Sequence, residues 1–208
     1  MERVAPGRPR VKFVVEWLGP TTVPPPETAA LRDALAWMAE AGLSPRLDDG
    51  GLAGNGAVVG EDRTLWVSPS GRSQGPMDHA DLIQVVSFDP KGWRALYRSR
   101  DPEARPTSDT PLHWAILVER ARESGWAARA SLHGHVLTTD EDAARTGLPI
   151  SREATDFSTP ADRAALVEVA TAHPFPAHDA WIRRGHGVFV VGRDVSEARA
   201  RLDALARR

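Results

Sequence analysis

Residues 181–198, WIRRGHGVFVVGRDVSEA, contain the elements that decide the fold. Two short apolar runs, Ala180–Arg183 and Val188–Gly192, flank the tetrapeptide RGHG and predict two strands joined by a turn. A helix from about Ser196 to Arg207 follows, with Asp194 or Ser196 as its N-cap. Strand, turn, strand and helix in succession indicate an α/β protein.

The same alternation continues through the rest of the chain. The predicted strands are Val11–Leu18, Thr64–Ser68, Asp81–Phe88 and Ala127–Leu132. The predicted helices are Glu27–Ala41, Pro111–Ser124 and Pro160–Ala172, with a short helical turn at Asp140–Ala144. Residues 48–60 are too rich in glycine for a helix interior and are interpreted as a loop. Since no repeat or linker divides the chain, we predict a single domain over residues 1–208, with residues 1–26 as an N-terminal strand extension.

Composition excludes several classes of function. The chain has 208 residues, 41% of them hydrophobic, and a formal net charge of −2, so it lacks the basic excess of a nucleic-acid binder. The absence of cysteine excludes disulfides, thiolate nucleophiles and cysteine-ligated metal. No apolar run reaches the roughly 18 residues of a membrane span. MERVAPGRPR at the start lacks a signal-peptide pattern, and we expect a cytoplasmic protein without nucleic-acid or membrane partners.

Three histidines carry the strongest chemical signal. In His133-Gly134-His135, residues i and i+2 of a strand project to the same side, and both imidazoles can reach one ion. The intervening Gly134 lets the backbone approach closely and removes a side chain that would crowd such a site. His186 lies between two glycines, and three histidines with one open position are typical of a catalytic zinc site. The spacing alone leaves ordinary core histidines as an alternative, but the flanking glycines favour metal.

The other four histidines are interpreted as having no chemical role. His79 lies in a polar segment, His173 and His178 lie in a proline-broken loop, and His113 is expected to pack at a helix start.

Four sequence blocks occur in an order that resembles a known family. They are LAGNG at 52–56, WVSPSGRSQG at 66–75 with DLIQVV after it, PTSDTPLHWAIL at 106–117, and ASLHGH at 130–135 paired with the stretch at 181–198. Together they resemble the class II aldolase/adducin family, which includes fuculose-phosphate aldolase and ribulose-phosphate 4-epimerase. The resemblance covers roughly residues 27–205. It implies a single-domain three-layer α/β/α sandwich around a largely antiparallel central sheet, and a homotetramer.

The resemblance also implies site residues. His133, His135 and His186 are the implied ligands of Zn²⁺ or another divalent metal. Asp109 falls where aldolases of the family carry a catalytic Glu and where epimerases carry an Asp that binds the metal, and both roles stay open. The residues implied to hold a substrate phosphate are Asn55, Ser70, Gly71, Thr107 and Ser108.

Two positions depart from the family pattern. Gly56-Ala57 replaces the serine that usually follows the Gly-Asn turn, and the single tyrosine, Tyr97, does not match the catalytic tyrosine of the family. The group that would take the place of that tyrosine is left open.

The resemblance implies a divalent-metal-dependent aldolase-type lyase that acts on a small phosphorylated ketose through a metal-stabilised enediolate. The alternatives are a sugar-phosphate 4-epimerase of the same family, a non-catalytic adducin-like assembly domain, and an enzyme with an unphosphorylated substrate. The three histidines argue against an assembly domain, whereas the altered Gly-Asn turn points toward the unphosphorylated substrate.

Overall fold

The computed structural model describes residues 10–73 and 77–207, which contain one eight-stranded sheet and its covering helices. The strands are β1 (Val14–Trp17), β2 (Asn55–Val59), β3 (Leu65–Val67), β4 (Ile83–Asp89), β5 (Arg94–Arg98), β6 (Ala130–Gly134), β7 (Ala180–Arg183) and β8 (Gly187–Gly192). The helices are α1 (Glu27–Glu40), α2 (Thr110–Trp114), α3 (Arg120–Ser124), α4 (Asp140–Thr146), α5 (Pro160–Ala172) and α6 (Val195–Ala206). A π-helical segment, Ala115–Glu119, joins α2 to α3. The α/β class predicted from the sequence is confirmed.

The strand order is β1-β5-β4-β3-β2-β6-β8-β7. β1 pairs with β5 in parallel, and the other neighbours pair antiparallel, which makes the sheet mixed. β6 lies between β2 and β8, where His133 is opposite Asn55 on one side and Phe189 on the other. The register therefore places the first histidine of HGH at the centre of three strands.

Apolar side chains cover both faces of the sheet. On one face, α1 and α6 pack against alternate residues of β6 and β8, among them Leu132 and Val190. On the other face, α2 and α5 pack against the intervening residues of β8, such as Phe189. Because strand side chains alternate, His133 projects to the α2 side while its neighbour Leu132 belongs to the α1 side.

Two strands were missed by the sequence analysis. β2 lies inside the stretch interpreted as a glycine-rich loop, and β5 was not predicted at all. Residues 1–9 of the predicted N-terminal extension and the end of the block at 66–75 lie outside the described residues. None of the helices in the described ranges is long and apolar enough to cross a bilayer.

Candidate metal centre and substrate cavity

The three predicted ligands meet at one point. His133 is near the end of β6, His135 follows that strand, and His186 lies in the turn between β7 and β8. One ring nitrogen from each of the three lies within 4.8 Å of the others. The ring centroids are 4.8 to 5.1 Å apart.

The imidazoles are held neutral, which is the form that binds metal. Burial lowers the pKa of His133 and of His186 well below the usual histidine value, and the charge of Arg183 lowers both further. Burial also lowers the pKa of His135 to about 4. The Nδ1 of His133 lies 3.0 Å from the carbonyl of Val188, so N–H donation there leaves the Nε2 lone pair toward the cluster. Three neutral imidazoles at this spacing fit a borderline divalent ion such as Zn²⁺.

The glycine needed for this cluster is Gly187. Its φ is +156°, and a Cβ there would overlap the carbonyl oxygen of Gly134 and lie 2.9 Å from Cε1 of His133. A Cβ on Gly134 would instead meet Leu202 at 3.5 Å, an ordinary contact on the face opposite the histidines. The expectation that Gly134 keeps the metal site uncrowded is therefore wrong, and the close backbone approach requires a glycine at position 187.

Asp109 lies directly beside the histidines. It precedes α2 and is 1% exposed, and its Oδ2 accepts hydrogen bonds from Asn55 Nδ2 at 3.0 Å and Arg183 Nη1 at 2.9 Å. Its other oxygen, Oδ1, is buried and has no hydrogen-bond partner among the described residues. Burial is the largest single influence on the pKa of Asp109 and acts to raise it. The electrostatic effects of Arg183 and of the surrounding histidines together outweigh burial, and the pKa lies well below the usual carboxyl range.

Arg183 connects Asp109 to a second buried carboxylate, that of Asp162 on α5. The guanidinium donates from Nη2 to Asp162 Oδ2 at 2.7 Å and from Nε to Oδ1 at 3.3 Å. Burial raises the pKa of Asp162. The charge of Arg183 acts to lower this pKa, and the charge of Asp109 acts to raise it further. Arg183 Nη1 also lies 3.3 Å from His133 Nε2, a contact that a cation bound at that nitrogen would replace.

Neither Arg183 nor Asp162 was predicted from the sequence. Arg183 is one of two adjacent arginines before His186, and nothing local distinguishes it from its neighbour. The fold makes the distinction, because Arg183 is 4% exposed while Arg184 bonds Asp140 at the surface.

His113 was assigned no chemical role, and the structure gives it one beside the site. Its Nε2 bonds Asn55 Oδ1 at 2.8 Å, and its Nδ1 bonds Ser131 Oγ at 2.7 Å. Burial lowers the pKa of His113 to about 4, so the ring is neutral and donates from one nitrogen. Because Asn55 Oδ1 accepts this hydrogen bond from His113, the amide of Asn55 is oriented so that its Nδ2 donates to Asp109.

A cavity of about 360 Å³ opens onto this cluster. The five residues predicted to hold phosphate line it, together with Asp109, His135 and His186. Asn55 differs from the rest because both ends of its amide already bond protein groups. Tyr97 is not among the lining residues, and its hydroxyl accepts from Arg105 Nη1 at 2.9 Å within the buried part of β5.

Residues 30–208 match the family described as class II aldolase and adducin N-terminal domain. A methylthioribulose-1-phosphate dehydratase from Enterobacter sp. (strain 638) is 26% identical over 200 residues, which cover 84% of this chain and 88% of that protein. A protein of the same name from Serratia proteamaculans is 27% identical over 202 residues, covering 85% and 88%.

Solved structures are similar in fold. The sugar-phosphate aldolase from Thermotoga maritima superposes with a TM-score of 0.64 at 18% identity, covering 87% of this chain and 90% of that chain. The L-fuculose-1-phosphate aldolase from Thermus thermophilus gives a TM-score of 0.55 at 20% identity, covering 87% and 89%.

Proposed function

Because the chain belongs to the class II aldolase and adducin family, whose fold it shares, we propose that it is a metal-dependent lyase acting on a small phosphorylated ketose. One observation carries the proposal. Three neutral histidine nitrogens lie together at one cavity, and Asp109, with a buried and unpartnered carboxylate oxygen, lines the same cavity.

His133, His135 and His186 would hold the divalent ion, with Zn²⁺ as the favoured identity. When bound, the ion supplies a Lewis acid for the oxygens of a substrate carbonyl and its neighbouring hydroxyl. The histidines contribute no charge of their own, so the ion keeps its full attraction for those oxygens.

Asp109 would move the proton. Arg183 and Asn55 both bind Oδ2, which fixes the carboxylate and leaves Oδ1 to meet a substrate proton. The group of potential ligands within 4.8 Å of one another contains the histidines and not Asp109. This geometry favours an acid/base role for Asp109 over a ligand role.

The loops that carry Ser70, Gly71, Thr107 and Ser108 would hold the phosphate. They bring small hydroxyls and backbone to the cavity, which Asn55 and Asp109 also line. Within the described chain, no hydrogen bond occupies the hydroxyls of Ser70 and Ser108.

Two lyase reactions are compatible with this arrangement. In aldol cleavage, a base takes the proton of a substrate hydroxyl as a carbon–carbon bond breaks. In dehydration, the base takes the proton from the carbon next to the carbonyl, and the hydroxyl on the following carbon leaves as water. We propose the first on the likeness to aldolase structures and retain the second because the curated relatives are named dehydratases.

The decisive experiment combines metal analysis with product analysis. Purified protein is expected to contain one divalent ion per chain and to convert phosphorylated ketoses more readily than unphosphorylated ones. Two carbonyl fragments identify cleavage, and a single product lighter by one water identifies dehydration. Protein that retains no metal and converts no ketose would refute the proposal.

The proposal extends to the whole chain and its assembly. We take residues 1–208 as one domain, with helices on the two sheet faces as the outer layers of an α/β/α sandwich, and the enzyme as a homotetramer. Light scattering of the purified protein tests the assembly.

A further inference from the structure

The proposed phosphate end of the cavity needs a positive charge that the sequence analysis did not identify. Among the described residues that line the cavity, Arg10 is the single lysine or arginine. The phosphate residues predicted from the sequence offer neutral donors, and the carboxylate among the described lining residues is that of Asp109. Asp109 is itself paired with Arg183, and the proposed divalent ion belongs to the histidines, so Arg10 is the lining side chain that can give the phosphate a cationic donor of its own.

Arg10 is held between two loops of the cavity wall. Its Nε donates to Asp49 Oδ2 at 2.7 Å, its Nη2 bonds Asp49 Oδ1, and its side chain is 17% exposed. A Cβ on Gly51 would lie 2.9 Å from Nη2, so the guanidinium lies directly against that glycine. A Cβ on Gly71 would lie 3.6 Å from Nη1 and 3.7 Å from Cζ, so the guanidinium also packs against that glycine.

The contacts of the guanidinium differ between its nitrogens. The edge formed by Nε and Nη2 bonds Asp49, whereas Nη1 has no hydrogen-bond partner in the described part of the chain. Nη1 lies close to both Gly51 and Gly71, where a Cβ would be 3.1 and 3.6 Å from it, and Arg10 lines the cavity together with Ser70 and Gly71. An arginine fork fixed on one edge by a carboxylate presents its remaining N–H groups in a set direction.

The segment that supplies Arg10 is anchored on the far side of the cavity as well. Lys12 Nζ bonds Asp156 at 2.6 Å and lies 3.9 Å above the ring of Phe157, a residue of the cavity lining. The backbone N–H of Lys12 donates to Ser158 Oγ at 3.2 Å, and Phe13 is buried against Phe88. Arg10 and Lys12 thus contact the cavity lining at Gly71 and at Phe157, and both precede residues 30–208, which match the family.

We propose that Arg10 is a substrate-binding residue that recognises the phosphate group by donating from Nη1 to an oxygen held at Ser70 and Gly71. The proposal rests on the proposed function for the substrate class, since a ketose without phosphate would give Nη1 no partner. Removing a charge-assisted hydrogen bond of this kind lowers the affinity about 10- to 100-fold.

Isothermal titration of the metal-loaded enzyme with inorganic phosphate tests the proposal. Arg10→Ala is expected to weaken phosphate binding about 10- to 100-fold, and Arg10→Lys is expected to recover part of the loss because it keeps the charge. Arg152→Ala removes an exposed arginine with the same change in net charge and is expected to bind phosphate as the wild type does. Equal phosphate affinity in Arg10→Ala and the wild type, or no phosphate binding by the wild type, would overturn the proposal.

Asp49→Asn separates recognition from tethering. The asparagine side chain still offers an oxygen to the Nε of Arg10 but no longer competes as an anion, so phosphate affinity is expected to stay equal or to rise. If this variant lost as much affinity as Arg10→Ala, the arginine would act through the loop it anchors, and the proposal would be wrong.

A titration of His135→Ala distinguishes this proposal from the proposed function. Metal-free His135→Ala is expected to bind phosphate with the help of Arg10, and adding Arg10→Ala in that background is expected to weaken the binding by about the same 10- to 100-fold factor. The role of Arg10 in phosphate binding can thus be refuted with Arg10→Ala in an otherwise intact enzyme. It can also be supported in the His135→Ala background, which is expected to lack both metal and lyase activity.

Discussion

Arg183 Nη1 donates a 2.9 Å hydrogen bond to Asp109 Oδ2, while the rest of the same guanidinium binds the carboxylate of Asp162. All three side chains are at most 4% exposed. Two carboxylates and one guanidinium leave a net negative charge in the interior, directly beside the three histidines. Such a charge favours a divalent cation there, and the arginine keeps Asp109 fixed and ionised.

Removing Arg183 is expected to destabilise the protein strongly. Arg183→Gln leaves Asp109 and Asp162 buried without a cation, and a cost of about 3–5 kcal/mol in the free energy of unfolding is expected. Urea unfolding measures it. Asp162→Asn in the same background should recover part of the loss in a double-mutant cycle, and strictly additive single effects would contradict the coupling.

The metal should depend on the histidine cluster and not on histidines elsewhere. His135→Ala is expected to lose most of the bound divalent ion, because two imidazoles with no third protein ligand hold it weakly. Elemental analysis of the purified protein measures this. The matched control is His178→Ala, which removes a histidine that pairs with His173 away from the cavity. Stoichiometric metal in His135→Ala would show that the cluster is not the site.

Asp109→Asn should separate metal binding from chemistry. Asparagine keeps the shape and can accept from Arg183, but it cannot take up a proton, so a fall in kcat of about 10²- to 10⁴-fold is expected with metal content unchanged. Steady-state kinetics and elemental analysis on the same samples measure both. Asp33→Asn, on the exposed face of α1, is the control. Loss of metal together with activity in Asp109→Asn would indicate a ligand role instead.

Buried neutral His113 should make the metal-free protein less stable in acid. Its pKa is about 4 in the folded state and about 6.5 in the unfolded chain, so the unfolded state binds the proton first as the pH falls. The contribution of His113 to the free energy of unfolding is fully present above about pH 6.5 and declines as the pH falls toward about 4. At about pH 5 the protonation of this group has lowered the free energy of unfolding by about 2 kcal/mol.

His113→Gln tests that contribution because glutamine does not titrate. Urea unfolding at about pH 7.5 and about pH 5 should show a smaller decrease for the variant than for the wild type. Equal decreases would assign the acid sensitivity to other groups.

The backbone of Gly187 lies so close to that of Gly134 that a methyl group at position 187 should affect both stability and metal binding. Gly187→Ala is expected to push β8 from β6, at a cost of about 1–3 kcal/mol, and to reduce metal retention because the same methyl would crowd His133. Gly134→Ala adds a methyl in ordinary contact with Leu202 and is expected to keep its metal. Thermal unfolding and metal analysis of the pair measure the difference. Loss of metal in Gly134→Ala but not in Gly187→Ala would contradict the geometry.

Local patterns were sufficient for most of the helices and for several strands. α1 and α5 lie where apolar periodicity and start signals predicted them, and β7 has the predicted bounds. β2 was missed because its residues Asn55-Gly56-Ala57 lack the bulk of a typical strand, yet its burial between β3 and β6 makes small residues suitable. A strand at the centre of a sheet is selected by its neighbours, and those are distant in sequence.

For the candidate site too, part was predicted from the sequence and part depends on the fold. The order of HGH, GHG and the PSG turn is a property of the sequence and predicted the family, which the comparison confirms. The sequence also predicted the five proposed phosphate residues, and the structure brings them to one cavity with Asp109.

What the sequence determined by itself is the set of chemical groups, since glycine-flanked histidines, small hydroxyls and the absence of cysteine can be identified without coordinates. The tertiary structure alone decided which charges meet. Arg183 lies 74 positions from Asp109 and 21 from Asp162, and Arg10 lies 39 from Asp49. Ion pairs over such separations have no local signature, because the partners meet only when the chain folds. For Arg183, Asp109 and Asp162, burial also makes an uncompensated charge costly.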